Sequence, residues 1–438
     1  MAVMRLRILS AVSVGFFLVA SMLAGAPAMS MEDASNGVDA PTGVANEDAF
    51  GEDAIENSDE DEVAKWTVLL YIVADNDLDV CFDEDFQELK DGGSSDSVNV
   101  LIFADRLEEG AYYYTIEDNE AETLKSLGEV NMGDPEKLTD FVEYANQNYK
   151  AKNRILFFWD HGTPTGGVGA DWTMPGDERP GESWDWLTHH EVMEALEGEH
   201  MDVIATDECS IGQMETLYEY VAGGLDVDYM VASESYIGYR GFTYDKIMQR
   251  LVADPDMDAL ELCEVIVDEF TNLFTQAPYM AETLTTQSIF DMSKIAALAD
   301  AVSTMADTLA DDIDSYRQII GSAQRGSIIP WGARGESWID MPNFVETIQE
   351  SVDESDPAYA ACKAVIDAYY GEAMLGMGVA KNTEIYGYNG IGITFPASHS
   401  SYSVAYAESD WGGFNIYITF EFPNMGWWDF LQTYWGFE

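Results

Sequence analysis

Two apolar runs, each emptying into a single reactive side chain, constrain this chain more than any other feature. Ile155-Leu156-Phe157-Phe158-Trp159 leads into Asp160-His161-Gly162, and Val203-Ile204-Ala205 leads into Asp207-Glu208-Cys209-Ser210. Runs without polar alternation belong to strands buried on both faces, as in parallel sheets. Trp66-Thr67-Val68-Leu69-Leu70-Tyr71-Ile72-Val73, Val98-Asn99-Val100-Leu101-Ile102-Phe103 and Tyr229-Met230-Val231-Ala232 have the same character, and 112–116 reads as a shorter strand. Between them, helical spacing runs from 135 to 149 (Leu138, Phe141, Val142, Tyr144, Ala145), at 192–196 and from 213 to 221. Ala74-Asp75-Asn76-Asp77 supplies a turn and an N-cap for a helix reaching Leu89. Strands alternating with helices predict an α/β fold: a mostly parallel β-sheet flanked by helices on both faces.

Beyond Ser235 the pattern is coarser. Residues 258–275 and 292–319 read as helices, and 390–396 as a strand ended by Pro396. The aromatic tail (Trp427, Trp428, Phe430, Leu431, Tyr434, Trp435) reads as a packed helix. The expected organisation is a catalytic core over 65–290 and a more helical C-terminal portion over 291–438, whose final strand and aromatic helix pack on the core.

Charge narrows the partners. The 438 residues carry 81 Asp plus Glu against 20 Lys plus Arg, a formal net charge of −61. Phosphate recognition needs a basic patch, so nucleic acid is excluded, and anionic membrane surfaces repel such a chain. Self-repulsion on this scale favours strong screening, which suggests a salty habitat; plain solubility is the other reading. Arg5 and Arg7, the apolar stretch from Ile8 to Leu23 and Ala26-Pro27-Ala28 read as an export signal over 1–28. The expectation is a secreted protein, with an uncleaved membrane tether as the alternative. Residues 29–64 form an acidic segment, with no Lys or Arg from Met31 to Ala64, expected to be a disordered linker or a propeptide.

Four cysteines do not make a disulfide framework in a chain this long. Cys263 and Cys362 sit in apolar helical contexts, and no zinc spacing occurs. Cys209 differs by position, just past a buried strand and ahead of a helix starting near Gly212-Gln213. Backbone N–H groups at such a place lower a thiol pKa. A thiol needs a base, and His161 supplies one. Gly162 lets a substrate carbonyl approach its N–H, which with the Cys209 N–H would form an oxyanion hole. Either residue alone could be structural; the pair points to a cysteine hydrolase.

Asp160-His161-Gly162, Asp207-x-Cys209 and Tyr71-x-x-Ala74-Asp75-Asn76-x-Leu78 resemble the clostripain family of cysteine peptidases. Ser233-Glu234, Gly238-Tyr239-Arg240-Gly241-Phe242-Thr243-Tyr244 and Gly392-Ile393-Thr394-Phe395-Pro396 extend the resemblance to nearly all of the folded part. It implies the caspase-like fold shared with gingipains, legumains and caspases, and cleavage of peptide or protein substrates after Arg or Lys. It also implies that Asp207 forms the floor of the S1 pocket, where a carboxylate has strong reason to pair a guanidinium; a helix N-terminal cap is its other reading. Glu234 is a second candidate for that pocket or a solvated strand-end charge. Relatives are often activated by cleavage after a basic residue between histidine and cysteine; here that interval holds only Arg179, followed by Pro180. Trp172, Trp184 and Trp186 in the same interval line subsites or bury a loop. No cofactor is required by the sequence; Ca²⁺, reported of relatives, has an option in clusters such as Asp83-Glu84-Asp85. A monomer is expected. The rival readings are a non-catalytic surface binding protein on the same fold and an acidic glycosidase, for which composition cannot place two carboxylates across a sugar.

Overall fold

The computed structural model describes residues 63–107, 109–177, 183–276, 285–327, 338–380, 388–396, 398 and 420–436. The expected export signal, nearly all of the acidic segment and the Arg179-Pro180 pair lie outside these residues. All described residues fall within one compact unit, Asp59–Glu438.

Fourteen strands are described: β1 Ala64–Ala74, β2 Val98–Arg106, β3 Gly110–Glu117, β4 Glu120–Gly128, β5 Ala151–Trp159, β6 Gly162–Thr163, β7 Gly167–Asp171, β8 Asp185–Leu187, β9 His200–Asp207, β10 Asp226–Ala232, β11 Thr285–Asp291, β12 Trp338–Asp340, β13 Met374–Ala380 and β14 Gly392–Thr394. Nine form the central sheet among the described residues, in the order β13-β11-β10-β9-β5-β1-β2-β3-β4. The middle, from β10 to β2, is parallel. Antiparallel strands extend both flanks.

Helices α1 (Asp79–Gly92), α2 (Pro135–Asn148), α3 (His189–Ala195), α4 (Met214–Ala222), α5 (Tyr244–Ala253), α6 (Ala259–Gln276) and α7 (Met292–Asp311) cover the two faces. In β1, successive side chains point to opposite faces and neither face reaches water. Val68, Leu70 and Ile72 pack with Phe82 and Leu89 of α1, Met248 of α5 and Phe270 of α6. Leu69, Tyr71 and Val73 join Phe141 of α2, Leu217 of α4 and Val302 of α7 on the other side. Double burial is why these runs lack polar alternation.

The expected helix over 292–319 is divided. α7 ends at Asp311, Asp312 leaves helical geometry at φ −133°, and a new helix runs Ile313–Gly326. Adjacent aspartates are poor helix interior residues and good caps, and the chain turns there. Two strands had no apolar signature. β4 is exposed along most of its length, and β11 begins with Thr285, Thr286, Gln287 and Ser288, buried polar residues within the sheet.

What the topology does for the site follows from β1, β2 and β5. The chain leaves β1 for β2 on one side and later returns to β5 on the other, so the order reverses between β1 and β5. The crevice beyond strand C-terminal ends at such a reversal is where an open α/β sheet binds and transforms ligands.

Candidate active site

Strand register levels the two reactive residues. Trp159 of β5 pairs with Asp207 of β9, so His161 and Cys209 each lie two residues past the last pair of neighbouring strands. Gly162 packs directly on the cysteine turn. A Cβ there would stand 2.7 Å from the Cys209 carbonyl oxygen and 2.9 Å from both Glu208 Cβ and Ile211 Cδ1. The absence of a side chain thus lets the histidine and cysteine loops close on one another. Ser210, at φ +61°, takes a left-handed conformation that turns the chain sharply after the thiol. Its N–H donates to the Ser235 carbonyl (2.9 Å) and Gly212 N–H to Ser233 (2.7 Å), stitching the turn to the loop after β10.

His161 Nε2 lies 2.9 Å from Asp77 Oδ1. Asp77 comes from the turn after β1, and that turn is held through Asn76. Its amide donates to Asp160 Oδ1 (2.7 Å), Ala170 O (2.8 Å) and Val73 O (3.1 Å), while its oxygen accepts Leu78 N–H (2.8 Å). Burial works against the imidazolium, but the Asp77 hydrogen bond, the Asp160 charge and the Asp77 charge outweigh it and raise the His161 pKa. The His161 bond in turn lowers the Asp77 carboxyl. Asp160 itself is pushed up to about 7 by burial.

Cys209 is half-buried, and its Sγ accepts the Ile237 N–H at 3.4 Å. The expected acidification by the following helix does not occur. α4 begins at Met214, and burial, with Glu208, Asp207 and Asp160 close by, pushes the thiol up to about 12 despite the Ile237 N–H. Glu208, fully buried, accepts Gly169 N–H at 3.3 Å and is raised by burial.

Asp207 is buried beneath the loop after β10. Its Oδ2 accepts Phe242 N–H (2.9 Å) and the Tyr244 hydroxyl (3.0 Å), while Oδ1 meets no hydrogen-bond partner. Gly241, at φ +49°, lies so close that a Cβ would come 2.4 Å from the carboxylate. Burial lifts Asp207 to about 7, and Asp85 next to it to about 8. Glu234 stands elsewhere. Its Oε1 accepts Gly390 N–H at 2.8 Å, Asp340 faces it, and burial raises its carboxyl. It shares no hydrogen-bond partner with Asp207, because the strand end points it toward β12 and β14 rather than the loop carrying Phe242 and Tyr244.

Asp83, Glu84 and Asp85 do not converge. Asp83 pairs Arg106 (3.1 Å), Glu84 pairs Arg240 and Asp85 accepts the Trp159 indole N–H (2.7 Å). Consecutive helical residues point in different directions, so this run cannot encircle an ion. Trp186 is buried and Trp184 exposed. Asp77, which touches His161, is a residue that sequence reading took only for part of a turn. Its signal was its place beside Asn76 at the end of β1, level with the strand that carries His161.

The clostripain family's sequence model matches residues 70–414. Clostripain of Hathewaya histolytica is 25% identical over 414 residues, spanning 80% of this chain and 78% of that protein. An inactive zymogen C11 protease from Parabacteroides distasonis superimposes with a TM-score of 0.61 at 18% identity, covering 83% of this chain and 98% of its own. A secreted C11 cysteine protease from Bacteroides thetaiotaomicron, bound to an irreversible peptide inhibitor, gives 0.61 at 19%, covering 84% and 100%. These two likenesses establish the caspase-like α/β architecture; the family match over most of the chain establishes the chemistry class. The chain belongs to the clostripain family of cysteine-type peptidases.

Proposed function

We propose that this is an exported endopeptidase that hydrolyses peptide bonds after Arg or Lys through a Cys209/His161 dyad. The observation that carries the reading is the level register of β5 and β9, with Gly162 seated on the Cys209 carbonyl. A thiol pushed up to about 12 holds no standing thiolate at neutral pH. His161 therefore acts as a general base, taking the thiol proton as sulfur attacks the scissile carbonyl carbon. The tetrahedral oxyanion is met by the N–H groups of Gly162 and Cys209. As the C–N bond breaks, the imidazolium returns its proton to the leaving amine. Water, deprotonated by His161, then attacks the thioester, and the thiol leaves with the proton.

Asp207 anchors the P1 side chain. Its unpartnered Oδ1 awaits a donor, and a guanidinium or ammonium arriving there would hold the carboxylate ionised. The negative surface would draw cationic substrates by long-range attraction that weakens with salt. Glu234 is assigned a structural part, sharing buried space with Asp340.

Fluorogenic Arg, Lys, Asp and Asn peptides, assayed across a salt series, test the reading together with covalent labelling by an arginine acyloxymethyl ketone. Cleavage is expected after Arg and Lys, with one label on Cys209. Cys209→Ala should lose activity by a factor on the order of 10⁵–10⁶, the scale of removing a nucleophile. Cleavage only after Asp or Asn would remove Asp207 from S1, and full activity in Cys209→Ala would end the dyad proposal.

A further inference from the structure

Gly162 opens a strand that can hardly hold itself. β6 is two residues long and meets β7 only at Gly162↔Val168 and Thr163↔Gly167. Where the next carbonyls find their donors therefore decides how firmly Gly162 is placed. Both donors are buried side chains from helices. His189 Nε2 lies 2.9 Å from the Thr163 carbonyl oxygen, and the Thr216 hydroxyl donates to the Pro164 carbonyl at 2.6 Å.

His189 is the first residue of α3 and fully buried. Thr188 caps that helix in a reciprocal box with Glu191, which fixes the angle at which the ring enters. Gly167 of β7 closes on the same corner, where a Cβ would stand 2.3 Å from the Leu187 carbonyl oxygen and 2.8 Å from Thr188 Cα. A carbonyl can only accept, so Nε2 of the ring carries the proton. Nδ1 is then left to accept the Tyr220 hydroxyl, 2.7 Å away. Tyr220 also meets the imidazole edge-on, with ring centroids 5.4 Å apart. Burial pulls the His189 pKa down to about 4, which keeps this neutral tautomer through the neutral range. An imidazole is costlier to bury than a phenyl ring filling similar space, unless both nitrogens find partners. Here both do, and the partners belong to the two halves of the site. Thr163 follows Gly162 directly, while Tyr220 and Thr216 belong to α4, the helix that the Cys209 turn enters.

We propose that His189 is a positioning residue of the oxyanion hole, bracing β6 against α4 so that the N–H groups of Gly162 and Cys209 keep one separation as the oxyanion forms. The inference rests on the reading of those two N–H groups as the oxyanion donors. His189 touches no reacting atom. Its effect passes through the Thr163 carbonyl, and Thr216 acts beside it on the next one.

The test separates two reactions of the same thiol. Peptide hydrolysis builds an oxyanion at the scissile carbonyl. Iodoacetamide is attacked at its saturated carbon, where a C–S bond forms as iodide leaves, and no oxyanion arises. The full chain and its His189→Phe, His189→Gln and Tyr220→Phe variants are compared in both, below the melting point of each, with whichever fluorogenic peptide the parent cleaves. In His189→Phe, kcat should fall about tenfold to a hundredfold, the scale of a misplacement near 1 Å, while KM stays within about twofold. The rate of Cys209 alkylation should also stay within about twofold, because that step uses no oxyanion donor. His189→Gln, whose amide can donate to the Thr163 carbonyl, should recover most of the lost kcat. Should His189→Phe fail to fold, Tyr220→Phe decides: it frees the ring from its fixed tautomer and should lower kcat about threefold to tenfold, again without slowing alkylation. Unchanged kcat in the folded variants, or hydrolysis and alkylation falling together, would overturn the brace while leaving the dyad in place. A parent that alkylates at Cys209 but cleaves no peptide would remove the oxyanion reading itself, and the brace with it.

Discussion

The His161 side of the cleft and the Cys209 side stand level on adjacent strands, and both are surrounded by carboxylates, yet those carboxylates act in opposite senses. Beside His161, Asp77 remains half in water (52% of its side chain exposed) and is lowered, so it stays ionised and strengthens the base. Beside Cys209, Glu208 and Asp207 are buried and raised, and they oppose a thiolate. The difference is the charge each partner takes on: a carboxylate nearby favours an imidazolium and opposes a thiolate, and the buried Asp160 does both. The outcome is a strengthened base beside a reluctant acid, the arrangement that the proposed general-base mechanism requires.

Separating the two sides should have the largest effect. In Gly162→Ala the new methyl meets the Cys209 carbonyl at 2.7 Å, a backbone atom that cannot swing aside. The loops must part, and kcat/KM should fall by about 10²–10³, the scale of losing an oxyanion donor. Overpacking should also cost about 1–3 kcal/mol of stability. Steady-state kinetics with a parallel melting curve would check both; unchanged kcat/KM would show that the contact is incidental.

Asp77→Asn tests the base side alone. The base must be neutral to accept the thiol proton, so activity rises with pH through the His161 pKa. Asp77 raises that pKa above its ordinary value, which places the acid limb above about 6.5. With the charge removed, burial pulls the imidazole down and the limb should move to lower pH. The plateau should drop by about tenfold to a hundredfold, less than for a fully buried triad aspartate because Asp77 is half-exposed. A limb that stays in place would mean that Asp77 does not tune His161.

Much of this was legible in sequence because the strands that lead to His161 and Cys209 are buried on both faces and signal themselves as apolar runs. The ends of β5 and β9, and the histidine and cysteine beyond them, needed no tertiary information. Asp77 was not legible in its role. Aspartate after a strand reads locally as a turn, while its partner His161 lies 84 residues away. The brace through His189 was hidden for the same reason, as α3, β6 and α4 bring Thr163 and Tyr220 to its ring only in the fold. The expected acidic thiol failed because an N-terminal helix position was weighed without the burial of the thiol and the acids around it. β11 escaped notice because it opens on buried Thr, Gln and Ser rather than apolar residues; Thr286 hydrogen-bonds Ser233, and Gln287 donates to the Thr206 carbonyl.

The smallest expected effect sharpens the cysteine side. Glu208 is raised by burial, and it is one of the carboxylates whose charge opposes the thiolate. Glu208→Gln keeps an oxygen for the Gly169 N–H and removes the ionisable proton. Activity near neutrality should therefore change by no more than about threefold, while the alkaline midpoint for alkylation of Cys209 should fall, since one of the charges pushing the thiol up to about 12 is gone. Iodoacetamide labelling followed by peptide mass analysis separates Cys209 from Cys81, itself half-buried and pushed up to about 11. An unchanged Cys209 midpoint would leave its suppression to burial and to Asp207 and Asp160, and would take Glu208 out of the contrast between the two sides of the cleft.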